Sequence, residues 1–152
     1  MNELIFVWAI IVAGAGVFYD IKYRIIPNWL ALGGLIGALI LAFFAGGWLE
    51  LASHAAGLAL AGGAWLVLWR AKIMGGGDQK LMSALGACFS WPTVQYFILF
   101  VALWGGAQGG LAILRNRWAK RKSEGVRPAP KIFIPYSVAI FLGLITNIVL
   151  IF

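Results

Sequence analysis

The sequence predicts an all-α polytopic membrane protein with six transmembrane helices, the fourth of them short. Three observations lead there. Of 152 residues, 62% are hydrophobic and only 11% charged; a soluble domain carries about 25% charge, so too little polar surface is present to coat a water-facing globule. Long apolar runs recur along the chain, separated by proline, glycine and basic residues. The 12 Lys and Arg residues gather in three groups between those runs, the pattern expected when a membrane sorts them to one side.

Length then bounds the architecture. Each span takes roughly 20 residues, which allows at most about six or seven and leaves no room for a separate soluble domain. Residues 1–152 therefore read as one membrane-embedded unit. A 14% aromatic content excludes disorder. Cys88 is the one cysteine and His54 the one histidine, so neither an internal disulfide nor a zinc centre is expected, and no metal or cofactor is called for. A net charge of +7 would suggest nucleic acid in a soluble protein. Here it reports sidedness, and the expected partner is the bilayer.

The first run, Leu4 to Tyr19, ends at Asp20, Lys22 and Arg24. It starts with Glu3 and no basic residue, the wrong flank for a secretory signal, so it is read as a retained first helix. Pro27 biases Ile26 away from helix and suits the first turn of the next one. The second run, Trp29 to Trp48, carries an indole at each end; at 1.5 Å per residue these lie about 28 Å apart, near the hydrocarbon thickness. The third runs from Leu51 to Trp69 and is closed by Arg70 and Lys72. After Gly75-Gly76-Gly77-Asp78-Gln79-Lys80 comes a short run, Leu81 to Trp91, before Pro92. The fifth span is Thr93 to Leu114, and the last Ile132 to Phe152, with Pro135 as an expected kink.

Charge placement decides the short segment. The basic groups are Lys22 and Arg24; Arg70, Lys72 and Lys80; and seven residues between Arg115 and Lys131. If residues 81–91, extended a few residues either way, cross, all three groups share one side and Glu3 and Glu50 share the other, which satisfies the positive-inside tendency. Both termini are then outside the cytoplasmic membrane, and Asp20 and Asp78 both face the cytoplasm.

Those two are the chain's only aspartates, each at the edge of a predicted span. A carboxylate at membrane depth is costly and points to function, the plain alternative being surface pairing with Lys22 and Lys80. The glycines before Asp78 weaken regular structure and leave space for another backbone, such as an extended peptide. Two facing carboxylates can hydrolyse an amide, one as ionised base on a water and one as acid on the scissile carbonyl and leaving nitrogen. If helix one ends at Asp20, its dipole disfavours charge there, whereas Asp78 could cap the fourth helix. This assigns Asp78 as the resting base and Asp20 as the resting acid.

Gly75, Gly77, Asp78 and Lys80 make a GxGDxK pattern that resembles the type IV prepilin peptidases, membrane-embedded aspartic proteases. Asp20, Arg24, Ile26, Pro27 and Asn28 resemble that family's first-aspartate region. The resemblance implies that Asp20 and Asp78 are catalytic and that Gly75, Gly77, Lys80, Arg24, Pro27 and Asn28 support them. It further implies that the substrate is a prepilin or pseudopilin whose short basic leader is removed on the cytoplasmic side. The family's bifunctional members carry a cysteine-bearing insertion and also methylate the new amino terminus. Cys88 stands alone here and the first interhelical loop is very short, so no methyl transfer is expected. In size and plan the chain is similar to the Flp/Tad prepilin peptidases and archaeal preflagellin peptidases.

Other residues receive structural readings. His54 lies four residues after Glu50, spaced to pair with it. Gln95, Gln108 and Asn147 are expected to make interhelical hydrogen bonds. Gly33 and Gly37, Gly105 and Gly109, and Gly106 and Gly110 have GxxxG spacing, read as internal packing. Lys80 either tunes Asp78 or snorkels. The loop from Arg115 to Lys131 sets topology and meets anionic lipid. Rival readings are a small proton-coupled transporter using the same carboxylates and a non-catalytic scaffold. Ionisable groups at several depths would favour the former, and the latter leaves Asp20, Asp78 and the triple glycine unexplained.

Overall fold

In a computed structural model, which describes residues 2–72, 75–122 and 136–151, every regular element is an α-helix. The first apolar run forms α1 (Asn2–Tyr23) and continues past Asp20, because nothing breaks it until Arg24. Arg24 adopts the left-handed region (φ 55°) and its N–H donates to the Asp20 carbonyl at 2.9 Å, closing the helix. Pro27, extended at φ −66° and ψ 143°, is the N-cap of α2 (Asn28–Arg70).

At 43 residues α2 would be about 64 Å long if straight, roughly twice the hydrocarbon thickness. It is interrupted at Gly46 (φ −158°, ψ 24°) and Gly47 (φ 68°, ψ −147°), and the positive φ at Gly47 suits only glycine. The chain reverses there. Lys80 and Ala84 of α3 (Gly76–Gly86) lie beside Asn28 and Gly34 of the first limb, in parallel order. Trp69, Gly62 and Gly57 of the second limb lie beside Gly76, Ser83 and Gly86, in antiparallel order. The predicted second and third spans, 29–48 and 51–69, are thus the two limbs of one helical hairpin joined by two glycines, with no loop between them.

The predicted short segment, Leu81 to Trp91, is displaced: α3 begins at Gly76 and ends at Gly86, while Trp91 already opens α4 (Trp91–Lys122). Helix α3 has 11 residues, about 16 Å, and would cross only half a bilayer. It lies inside the bundle, with Leu81, Met82 and Leu85 fully buried. Gly57 and Gly86 permit this: a methyl on Gly57 would stand 2.7 Å from the Gly86 carbonyl oxygen, so α2 and α3 approach backbone to backbone. In the buried turn after α3 the N–H groups of Ala87, Cys88 and Phe89 donate to the carbonyls of Ser83, Leu85 and Gly86. His54 Nδ1–H donates to the Ala87 carbonyl at 2.8 Å, and Trp91 N–H donates to Ser53 Oγ at 3.1 Å. The expected approach of His54 to Glu50 is present at 3.8 Å.

Helix α4 runs past the predicted end at Leu114, so Arg115 is helical. Residues 123–131 of the basic loop, and Pro135 with its expected kink, lie outside the described residues. The last apolar run is described as α5 (Tyr136–Ile151), 16 residues long. It packs antiparallel to α4, Gly105 meeting Tyr136 and Val101 meeting Gly143, and antiparallel to α1, Phe141 meeting Gly14.

Three described helices are long and apolar enough to cross a membrane: Glu3–Tyr23, Asn28–Arg70 and Trp91–Arg115. The all-helical membrane class follows, whereas length and apolarity give three such helices where six were expected; α3 and α5 are too short and the hairpin limbs are merged. Two smaller expectations fail. Neither amide atom of Asn147 nor the buried Gln108 Oε1 has a hydrogen-bond partner among the described residues, and Gln95 is exposed. Of the GxxxG glycines, Gly37 packs on Trp8 and Gly105 on Tyr136, while Gly33, Gly106, Gly109 and Gly110 face open space.

Candidate active site

The antiparallel packing brings the end of α1, the start of α2, the start of α3 and the start of α5 to one end of the bundle. Asp20 and Asp78, 58 positions apart in sequence, lie there near enough for the charge of Asp20 to act on Asp78. Asp20 sits one turn before the end of α1, 8% exposed. Its carboxylate oxygen Oδ2 accepts a hydrogen bond from Ser137 Oγ of α5 at 2.5 Å, and Ser137 is fully buried. Asp78 is the third residue of α3 and is half-buried. The N-cap of α3 is Gly75, so Asp78 does not take the capping position expected for it. Asp78 lies in the first turn of α3 and outside the three candidate spans. Burial, and then the nearby charge of Asp20, push its carboxyl up to about 6.

These surroundings bear on the assignment expected from the sequence. The argument for a protonated Asp20 required α1 to stop there, and α1 continues to Tyr23. Ser137 supplies a hydroxyl donor to Asp20 Oδ2. Desolvation at Asp78 disfavours charge, which suits that residue to hold the proton. Pairing with the following lysines does not occur. Lys22 Nζ lies 5.3 Å and 5.2 Å from the ring centres of Phe18 and Tyr23, a cation–π placement. Lys80 Nζ donates instead to Asn28 Oδ1 at 2.7 Å.

That last bond joins the two motifs. Lys80 follows Asp78 on α3, and Asn28 opens α2 just beyond Asp20 and Pro27. Ile26, buried at 5% exposure, packs on the same turn: a methyl on Gly77 would come 3.3 Å from Ile26 Cβ. Gly77 thus lets the chain after Asp20 press against the helix that bears Asp78. Gly75 is exposed beside the Asp78 carboxyl, a methyl there lying 3.4 Å from Oδ2. The site therefore gathers Asp20, Asp78, Gly75, Gly77, Pro27, Asn28 and Lys80 at one end. Arg24 closes α1 through its backbone.

Sequence reasoning missed Ser137, a lone serine in an apolar run with no pattern to mark it. The spacing of aspartates to α5 gave no signal either, since the bond spans 117 positions. Among the described residues no group of three His, Cys, Asp or Glu side chains is placed to hold a metal ion. Chemically, the arrangement offers one carboxylate held by a hydroxyl donor, one carboxyl inclined to keep its proton, and an open glycine backbone beside the second.

Comparison with known proteins agrees with this geometry. A profile of the type IV leader peptidase family matches residues 4–110. The prepilin leader peptidase/N-methyltransferase of Aeromonas hydrophila is 31% identical over 152 residues, which cover 94% of this chain and 50% of that protein. The protein of the same name in Burkholderia pseudomallei strain K96243 is 37% identical over 59 residues, 35% of this chain and 19% of that protein. The chain spans about half the length of the A. hydrophila relative. No solved structure matches it. The profile spans both aspartates and well over half of the residues, and on that basis the chain belongs to the type IV leader peptidase family.

Proposed function

We propose that the protein is an aspartic endopeptidase that removes the short basic leader of type IV prepilins or pseudopilins of the Flp type. The observation that carries the reading is the pairing of Asp20 with Asp78, close enough that the charge of one acts on the other. Family membership supports the same chemistry. Asp20, as the carboxylate, takes a proton from a water that attacks the scissile carbonyl. Asp78, as the acid, donates a hydrogen bond to that carbonyl oxygen and passes its proton to the leaving nitrogen. The open backbone at Gly75 gives an extended peptide a place to lie against Asp78.

The remaining features of the reading follow from topology. Residues 1–152 act as one unit that crosses the cytoplasmic membrane six times: α1, the two limbs of α2, the α3 segment, α4 and α5. The six segments alternate in direction, which supports this count. The site then faces the cytoplasm with both termini outside, as the basic groups favour. Methyl transfer is not part of the proposed activity, since Cys88 stands alone and only residues 24–27 separate α1 from α2.

The test is incubation of the purified protein with a detergent-solubilised prepilin. Leader removal is expected from the wild type and none from Asp20→Asn or Asp78→Asn, with helical content unchanged. Cleavage retained by either variant defeats the dyad.

A further inference from the structure

We propose that Ser137 is a positioning residue for Asp20, which holds one carboxylate oxygen so that the other addresses the attacking water. The inference rests on Asp20 being the base of the peptidase reading. Its geometric ground is independent of that reading. Ser137 Oγ stands 2.5 Å from Asp20 Oδ2, and both residues are buried, at 0% and 8% exposure. Serine within a helix commonly turns its hydroxyl back to its own backbone. Here the hydroxyl reaches across to α1.

The position of α5 is set tightly enough for this to matter. Tyr136, next to Ser137, is wedged so closely against Gly105 of α4 that a methyl there would overlap its ring. Two turns further on, Gly143 meets the backbone of Val101, where a methyl would stand 2.7 Å from the amide nitrogen. Phe141 packs on Gly14 of α1. The start of α5 is thereby clamped between α4 and α1, and Ser137 has little freedom to leave Asp20. A free carboxylate rotates about its last bond and presents either oxygen. With Oδ2 engaged by a hydroxyl donor, Oδ1 is the oxygen left to accept a proton from water, in one orientation. Asp78 on α3 is the neighbouring acid on which the charge of Asp20 acts. Ser137 touches no reacting atom in this scheme and acts through Asp20. It also lies beyond the residues matched by the family profile, 4–110.

The experiment compares Ser137→Ala, Ser137→Cys and Ser137→Thr in the full chain, in detergent. Cysteine keeps the size with a weak donor, and threonine keeps the hydroxyl. The first readout needs no substrate: the Asp20 carboxylate stretch in infrared difference spectra, identified by its loss in Asp20→Asn. That band is expected to move in the Ala and Cys variants and to return in the Thr variant. The second readout is cleavage, where kcat is expected to fall about 10- to 100-fold in Ala and Cys with KM within about twofold of wild type, and to recover in Thr. An unmoved band overturns the assignment whatever the cleavage result, and a moved band with unchanged kcat overturns it too. A moved band in a protein that cleaves no prepilin refutes the peptidase reading instead, and with it the positioning role, while leaving the hydrogen bond standing.

Discussion

Replacing Asp20 by Asn tests the dyad without any substrate. Asp78 titrates at about 6 against an ordinary value of 3.8, a rise of about 2.2, with burial the larger cause and the Asp20 charge the smaller. Asparagine is nearly isosteric and removes the charge while leaving the burial. Since the charge is the smaller cause, Asp78 in Asp20→Asn should titrate lower than in the wild type while staying above the ordinary value of 3.8. The assay is a carboxyl-resolved infrared titration in detergent, with the Asp78 band assigned by its absence in Asp78→Asn. Two results refute the reasoning. An Asp78 that does not move in Asp20→Asn places the two carboxyls out of reach of each other. An Asp78 that drops to near 4 makes charge rather than burial the dominant cause, and the half-buried setting given to it here is then wrong.

With Asp78 as the acid, kcat/KM for prepilin cleavage should fall about tenfold per pH unit above about 6, as the proton it must donate is lost; a profile flat to pH 8 removes Asp78 from that role. Gly57→Ala should lower stability by about 1–3 kcal/mol, read by thermal denaturation in detergent, because the added methyl meets backbone of the α3 region that cannot step aside. Gly63→Ala, on the same helix but facing open space, is the control, and equal effects of the two would contradict the close approach of α2 and α3. Lys80→Ala, Asn28→Ala and the double variant should each cut cleavage by a similar factor, about tenfold, since one bond joins them; additive losses would show that they do not act as a pair. Cleavage should be unchanged by a metal chelator, because the proposed chemistry uses carboxylates alone, and inhibition by the chelator counts against it.

The helical membrane class was legible because it depends on composition, which the apolar runs and scarce charges express directly. The two aspartates were legible because each sits in a short motif at the edge of an apolar run. What escaped depends on packing. A reversal built from Gly46 and Gly47 needs no polar loop, so the two limbs of α2 read as separate spans with a loop that is absent. Helix α3 starts at Gly76, ahead of the apolar run, because Ile26 and the Trp69 indole fill the space that the missing side chains of Gly76 and Gly77 leave. The proposed roles of acid and base turn on where α1 ends and on what surrounds Asp78, neither of which a short motif displays. Arg24, a non-glycine residue in the left-handed region, ends the helix one turn later than its charges suggest.

The placement of α3 also bears on the transporter alternative. Asp78 stands at one end of this short helix, and the His54 and Glu50 pair lies beyond its other end, where His54 binds the Ala87 carbonyl. Between the two ends α3 contributes Leu81, Met82 and Leu85, all with 0% exposure and none able to carry a proton. A proton moving between the two titratable groups along α3 finds Gln79 and Ser83, which bond to each other, and no polar side chain of α3 between Ser83 and the turn at Ala87. His54 has a sufficient task where it is. A turn buried inside a membrane protein leaves carbonyls that need donors, and the imidazole supplies one at Ala87. By closing that turn, His54 and Ser53 let α3 end inside the bundle after 11 residues, with its first turn at the end of the bundle that holds Asp20. The polar groups at the two ends of α3 thus serve different needs: one set satisfies backbone, and the other sets Asp78 within reach of the charge of Asp20.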